Sequence, residues 1–332
     1  MREKPILATH DGTFHCDDVL AYVLIRRWLA QEGTTEIELV RTRDPNVYNN
    51  ADFVWDVGAV YDPKTHRYDH HMPGALLRDD SVPYSSAGLV WLNLGIDICH
   101  ELYGGFRTKY SAEAEELYQM FMEQDIKFVD WTDDGRSLVE ENRLNLDMGL
   151  AGLVDAFNQQ WFEREPRAGD ENFKFLQAAS MVESVVISRL SKLQATIEAR
   201  KAVQKAFDDG QDPYVLVLDR NMPWQDAVAH LHLPTLYAVY PSTRNGNEWM
   251  VACMSTKPGG FTPTHPFPEN WGGLRGDDLA KVSGVENAVF CHKYRFCASA
   301  TTLAGAVNLA QNSIEYSQAP SPAGGNTSPR GL

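Results

Sequence analysis

Ile6-Leu7-Ala8-Thr9-His10-Asp11-Gly12-Thr13-Phe14-His15-Cys16-Asp17-Asp18 opens on four strand-like residues and ends where a helical pattern begins. From Cys16 to Gln31 the apolar positions are Val19, Leu20, Val23, Leu24, Trp28 and Leu29. That spacing predicts a helix, and the acids at its start complement the helix dipole. Ile37 to Thr42 and Phe53 to Val57 then read as two further strands. Strand, helix, strand in that order predicts an α/β fold with a parallel sheet and right-handed crossovers. Tyr61 to His71 reads as a turn followed by a further strand or hairpin.

Working outward, Ser85 to about Asp134 is helical in pattern, with a break near Tyr103-Gly104-Gly105. Asn172 to Asp208 is rich in helix formers and reads as one or two long helices. After Gly210 the strand-like stretches are Tyr214–Leu218, Leu236–Tyr240, Trp249–Ser255 and Ala288–His292, and short helices are expected at 223–230, 277–282 and 302–316. The chain has 332 residues, which suits two domains of roughly 100–200 residues each. The expected division is an N-terminal parallel-sheet domain over 1–170, a helical connector over 171–210, and a smaller C-terminal α/β domain over 211–317. A Ser-, Pro- and Gly-rich tail over 318–332 is expected to be disordered.

The formal net charge is −15 and hydrophobic residues make up 43%. The acidic balance argues against salt-driven binding to long duplex DNA. It leaves room for a phosphate-bearing substrate, because bound metal ions reverse the local sign of a carboxylate-rich pocket. No apolar run approaches the roughly 20 residues of a membrane helix. Met1 to Pro5 carries no apolar signal region, so a cytoplasmic location is expected. The five cysteines form no Cys-x-x-Cys pair. Buried thiols are the expectation for all but Cys16, which sits inside the His/Asp stretch.

Five of the ten histidines precede residue 72, and they come with acids. His10 to Asp18, Trp55-Asp56-Val57-Gly58 and Tyr68-Asp69-His70-His71 each follow a predicted strand. In open α/β sheets the site lies beyond the carboxyl ends of the strands, where all three clusters can meet. His10, His15, Asp17, Asp56, Asp69, His70 and His71 therefore form a candidate divalent-metal site. Taken singly, each has an ordinary reading: a hydrogen-bonded histidine, or a turn aspartate. His66, in the turn after Pro63, keeps that ordinary reading.

The Asp69-His70-His71 triplet resembles the signature of the DHH phosphoesterase superfamily. Ala8 to Asp18, Val57-Gly58, Tyr61-Asp62-Pro63, Arg67 to His71 and Ser85 to Leu89 are similar to motifs of the melanocyte-proliferating-gene-one family. So are Met222-Pro223-Trp224, Thr256-Lys257-Pro258 and Trp271 to Arg275. The resemblance spans nearly the whole chain except the tail. It implies a DHH-type N-terminal domain and a metal-dependent phosphodiesterase acting on RNA or short oligonucleotides, as a 3′-to-5′ exonuclease does. It implies two metal ions, manganese first, with magnesium, cobalt or zinc as alternatives.

The resemblance also assigns roles. His10, His15 and Asp17 take the first-motif positions, where His15 replaces the acid usual in the superfamily. Asp56 would bridge the two metals. His70 would be a ligand, with Asp69 and His71 supporting it or contacting substrate as catalytic groups. The fourth motif falls in Phe128 to Gly135, with Asp130 preferred over Asp133. Two metals would supply a nucleophile at neutral pH. In the C-terminal domain the stretch His292 to Thr302 lacks the superfamily's Gly/His run. His292 and Arg295 are candidate phosphate contacts there, since an arginine forks onto phosphate oxygens. Lys257 and Arg275 are weaker candidates. Trp224 and Trp271 are expected in the core rather than stacked on bases. Two other readings stay open: a metal-dependent hydrolase of an amide or pyrophosphate bond, and a non-catalytic metal-binding scaffold. Apolar faces in 172–208 suit a homodimer or packing within the chain.

Overall fold

The computed structural model describes residues 4–104, 111–136, 149–163, 170–243, 247–257 and 259–318. The chain divides into two units, Met1–Gln194 and Ala195–Leu332. In the first, strand β1 (Ile6–Thr9) leads into helix α1 (Cys16–Gln31), followed by β2 (Glu38–Arg41), the short α2 (Pro45–Tyr48) and β3 (Phe53–Trp55). β4 (Tyr61–Asp62) and β5 (Arg67–Tyr68) form the expected hairpin around a 3₁₀ turn at Pro63–Thr65. The sheet order is β2-β1-β3-β5-β4. β1 pairs in parallel with β2 and β3, and β3 in parallel with β5; only β4 runs antiparallel. This is the α/β fold with a parallel sheet that the strand–helix–strand order implied.

Leu7 and Ala8 of β1, an interior strand, are wholly buried, which explains why β1 is continuously apolar rather than alternating. α1 is buried over most of its circumference, from Val19 to Ile25 and again at Trp28 and Leu29. Helix α3 (Ser86–Leu102), capped by the Ser85 hydroxyl accepting from the Gly88 amide, packs along it. α4 (Ala112–Phe121) runs through a π-turn at Met122–Ile126 into α5 (Lys127–Asp133). α6 (Leu150–Asp155) precedes α7 (Asp170–Asp209), a single helix of 40 residues.

Phe175, Ala178, Ala179, Val182, Val186 and Leu190 make one buried stripe on α7 at helical spacing. Arg189 of the same helix grips Asp125 in the π-turn with Nε and Nη2, at 2.7 and 2.8 Å. The boundary between units thus falls inside α7, and residues 171–194 belong to the first unit instead of forming a separate connector.

The second unit contains β6 (Val215–Val217), α8 (Trp224–His230), β7 (Tyr237–Pro241), β8 (Trp249–Cys253), α9 (Gly276–Ser283), β9 (Ala288–Cys291), β10 (Cys297–Ala300) and α10 (Leu303–Gln318). Its sheet, β6-β7-β8-β10-β9, is parallel only between β6 and β7. β10 was not among the expected strands. Its Cys-Ala-Ser-Ala composition has little strand preference, and burial between two antiparallel neighbours makes it one. Trp224 and Trp271 are buried in the core, as expected. Among the described residues, no helix is long and apolar enough to cross a membrane. Residues 319–332 of the expected tail lie outside the described residues.

Candidate metal centre

β1, β3 and β5 are neighbours and parallel, so their carboxyl ends lie side by side. His10 follows β1, Asp56 follows β3, and Asp69-His70-His71 follow β5. Asp56 turns the chain with φ 55°, a left-handed conformation that aspartate tolerates better than most residues. α1 starts at the same edge. His15 is its N-cap, and the Asp18 carboxylate accepts from the His15 amide at 3.0 Å. This cap sets Asp17 on the first turn, 1% exposed, facing the strand ends.

The side chains converge. His10 Nε2 lies 3.2 Å from Asp56 Oδ2, and His70 Nε2 lies 3.2 Å from Asp56 Oδ1. One carboxylate therefore reaches two histidines, one with each oxygen. His70 Nε2 also lies 3.5 Å from Asp133 and 3.9 Å from Asp17. Two groups of donors result: His10, His15 and Asp56, then Asp17, His70 and Asp133. Within each group the ligand atoms lie within 4.8 Å of one another, and Asp56 also stands with Asp69, His70 and His71.

Of the two candidate acids in 128–135, the structure brings Asp133 to the histidines and not the preferred Asp130. Asp130 is fully buried, but it accepts from Ser85 at 2.7 Å and from Arg78 Nη1 at 3.0 Å. Its carboxylate oxygens are taken up by Ser85 and Arg78, and it joins none of the donor groups around the histidines. Its role is to hold the start of α3. That helix start in turn serves the centre: the Ser86 hydroxyl donates to Asp56 at 3.2 Å and the Ser86 amide to Asp17 at 3.3 Å.

Asp69 likewise supports the site. Its carboxylate accepts from the amides of Ala59, His70 and His71 and from His71 Nδ1 at 2.8 Å. This fixes the His70-His71 turn.

Four contributors were not singled out in the sequence: Asp18, Ser86, Arg41 and Asn158. Asp18 lies 3.1 Å from His10 Nε2. Its position beside Asp17 was the available signal. Arg41, at the end of β2, donates to the Gly12 carbonyl at 2.6 Å and sits over the rings of Phe14 and Phe175. Asn158 clasps Phe14 by both its amide and carbonyl, at 3.0 and 2.8 Å. No local pattern signals these last tertiary clamps on the 10–15 loop.

Burial and the mutual repulsion of Asp17, Asp56, Asp133 and Asp18 push the Asp17 carboxyl well above its ordinary value. Burial likewise raises Asp133, against the nearby His70. Burial disfavours a charged His10, yet its hydrogen bonds to Asp18 and Asp56 outweigh this and raise it to about 10. Burial opposes ionisation of Asp56 too, but the bonds from His10 and His70 hold it below the carboxylate range. Asp17 Oδ1 is buried with no hydrogen-bond partner. A packed set of acids with an unsatisfied oxygen is what a cation would relieve, so the donor set fits divalent metal. Mixed imidazole and carboxylate donors suit a first-row ion. Cys16 is buried, and burial with the adjacent acids keeps its thiol protonated. Both groupings leave it out.

In the second unit, His292 and Arg295 lie on the β9–β10 turn. Arg295 has φ 60° and donates Nη1 to the Phe267 carbonyl at 3.2 Å. His292 Nδ1 accepts from the Tyr294 amide at 3.2 Å. Arg275 lies over the Phe290 ring.

Comparison with known proteins places this geometry in a family. A family model for MYG1 exonuclease, described as uncharacterised protein family UPF0160, matches residues 6–314. The rat MYG1 exonuclease is 32% identical over 343 residues, covering 96% of this chain and 87% of that protein. The human MYG1 exonuclease is 31% identical over 332 residues, covering 93% and 86%. The fission-yeast MYG1 protein is 29% identical, covering 94% and 98%. A solved structure of RecJ with Mg²⁺ from Thermus thermophilus superposes loosely, with TM-score 0.26 and 13% identity. That match covers 97% of this chain and 51% of RecJ, about half its length. The breadth of the family match and the relatives above 30% identity make the conclusion plain: the chain is an enzyme of the hydrolase class and belongs to the MYG1 exonuclease family.

Proposed function

We propose that this enzyme is a metal-dependent phosphodiesterase of the DHH type, removing nucleotides from the 3′ end of RNA or short oligonucleotides. The observation that carries the reading is the Asp56 carboxylate, with one oxygen toward His10 and the other toward His70. That arrangement suits a pair of ions, with His10 and His15 on one side and Asp17, His70 and Asp133 on the other. Manganese is the ion proposed. Divalent ions held there would supply a nucleophile at neutral pH and offset charge on the phosphate oxygens.

The chain's own residues supply the rest. Asp69 orients the exposed His71 ring through a 2.8 Å hydrogen bond and raises its pKa. His71 is thereby poised to hold a proton toward a phosphate or leaving oxygen. Ser86 locks the Asp17 and Asp56 carboxylates in place. His292 and Arg295 are proposed as phosphate contacts, and the cytoplasm as the site of action.

The test is release of mononucleotides from a short, end-labelled RNA with manganese and with chelator. Bis-para-nitrophenyl phosphate and a generic peptide run alongside. Manganese-dependent cleavage of the RNA is expected. Cleavage of neither phosphodiester would sink the proposal, and cleavage of the peptide alone would point to amide chemistry.

A further inference from the structure

We infer that the apolar limb of the cavity beside the acid–histidine centre binds the base of the nucleotide whose phosphate reaches that centre. The inference rests on the phosphodiesterase reading and narrows it to recognition of a single nucleotide.

A cavity of about 1160 Å³ opens within the first unit, with His15, Asp17, Asp56, His70 and Asp133 in its wall. Away from them its apolar lining includes Phe121, Phe128, Val129, Leu150, Val185 and Val186. Two arginines also line it, and both are already matched. Arg136 Nε lies 2.8 Å from Asp134, and Arg189 forks onto Asp125. Among the described lining residues there is no lysine.

A long nucleic-acid strand needs a basic track for its phosphates. The described residues of this limb offer charge-neutral pairs, the Asp155 carboxylate and hydrocarbon instead, with no unmatched cation. Among the described lining residues, the phosphate therefore finds its place at the centre itself, and the limb is left for an uncharged, flat group. The spacing agrees. Phe128 and Val129 precede Asp133 on α5 by five and four residues, about 6–8 Å along the helix axis. One sugar bridges such a gap between a phosphate and its base. Phe128 is partly exposed and offers a ring on which a base can stack. Gln124, also in the wall, carries an amide able to pair with a base edge.

Binding to the full-length protein with manganese distinguishes the alternatives without needing turnover. The probes are adenosine 5′-monophosphate, ribose 5-phosphate and octyl phosphate. The wild type should bind the nucleotide about ten-fold or more tighter than the sugar phosphate. In Phe128→Ala that advantage should fall to about three-fold or less, with ribose 5-phosphate affinity unchanged. Val185→Ser serves as a second, independent lesion of the same wall. Equal wild-type affinity for the nucleotide and the sugar phosphate would overturn the inference. So would an advantage that survives both substitutions, or octyl phosphate binding tighter than the nucleotide. If RNA is not cleaved yet the base advantage stands and falls with Phe128, the subsite holds and the phosphodiesterase reading alone fails.

Discussion

At the scale of single residues, the proposed metal centre separates acids that would bind from acids that build. Asp56 is the shared group, so Asp56→Ala should abolish manganese-dependent activity and tight metal binding while leaving the circular dichroism spectrum intact. Wild-type turnover in that variant would remove the bridging role. Asp130 and Asp133 give opposite signatures. Asp133 sits among repelling carboxylates, and its own pKa is raised by burial. Asp133→Asn should therefore leave the metal-free melting temperature unchanged or higher while weakening metal affinity about ten-fold or more. Asp130 neutralises Arg78, whose side chain is 5% exposed. Asp130→Ala should cost about 3 kcal/mol of stability, since a buried cation loses one of its two carboxylate partners and keeps the more exposed Glu123. Calorimetric melting with and without manganese separates the two. A reversed pattern would return the ligand role to Asp130.

At the scale of elements, the start of α3 joins the building acid to the binding ones. Its first turn approaches Asp130 so closely that a Cβ on Gly88 would lie 2.3 Å from the carboxylate. Both partners are fully buried, leaving little room to yield. Gly88→Ala should cost about 1–2 kcal/mol net, as overpacking outweighs the better helix propensity of alanine. Its activity should also fall, because Ser86 would shift against Asp17 and Asp56. A stabilised, fully active Gly88→Ala enzyme would show that the helix start is not tied to the centre. The 10–15 loop is held by comparable ties, from Arg41 on β2 and Asn158 after α6.

At the scale of the whole molecule, protons link stability and metal. Without metal, His10 is held protonated up to about 10, and Asp17, Asp18 and Asp133 have raised values. Groups whose folded pKa is raised give stability that is present at low pH and lost as pH climbs through that value. Metal binding needs the same groups deprotonated, so it should release protons, and affinity should rise with pH across the neutral range. Titration calorimetry at pH 7 in buffers of different ionisation enthalpy should show net proton release. Binding heats independent of buffer would contradict this charge arrangement. The gain in melting temperature on adding manganese should grow from pH 6 to pH 8 for the same reason.

Much of this was legible in the chain itself. The alternation of apolar strand, helix and strand around His10 to Asp18 determined the parallel sheet, and with it the edge where the strand-end acids and histidines meet. Parallel order is local information: strand and crossover follow each other in sequence, and handedness does the rest. The Asp130–Asp133 choice was not local. Both residues lie on one short helix, and only the packing of α5 against the start of α3 shows which faces Arg78 and which faces His70. Arg41 and Asn158 were invisible for the same reason, as each acts on the 10–15 loop across a gap in sequence that no motif spans, and Ser86 lay inside the Ser85 to Leu89 motif with nothing local to show that it reaches the acids. The sequence by itself determined which side chains stand at the strand ends. The tertiary structure alone decided which of the surrounding acids turn inward, because a helical residue's partner is set by the element packed over it.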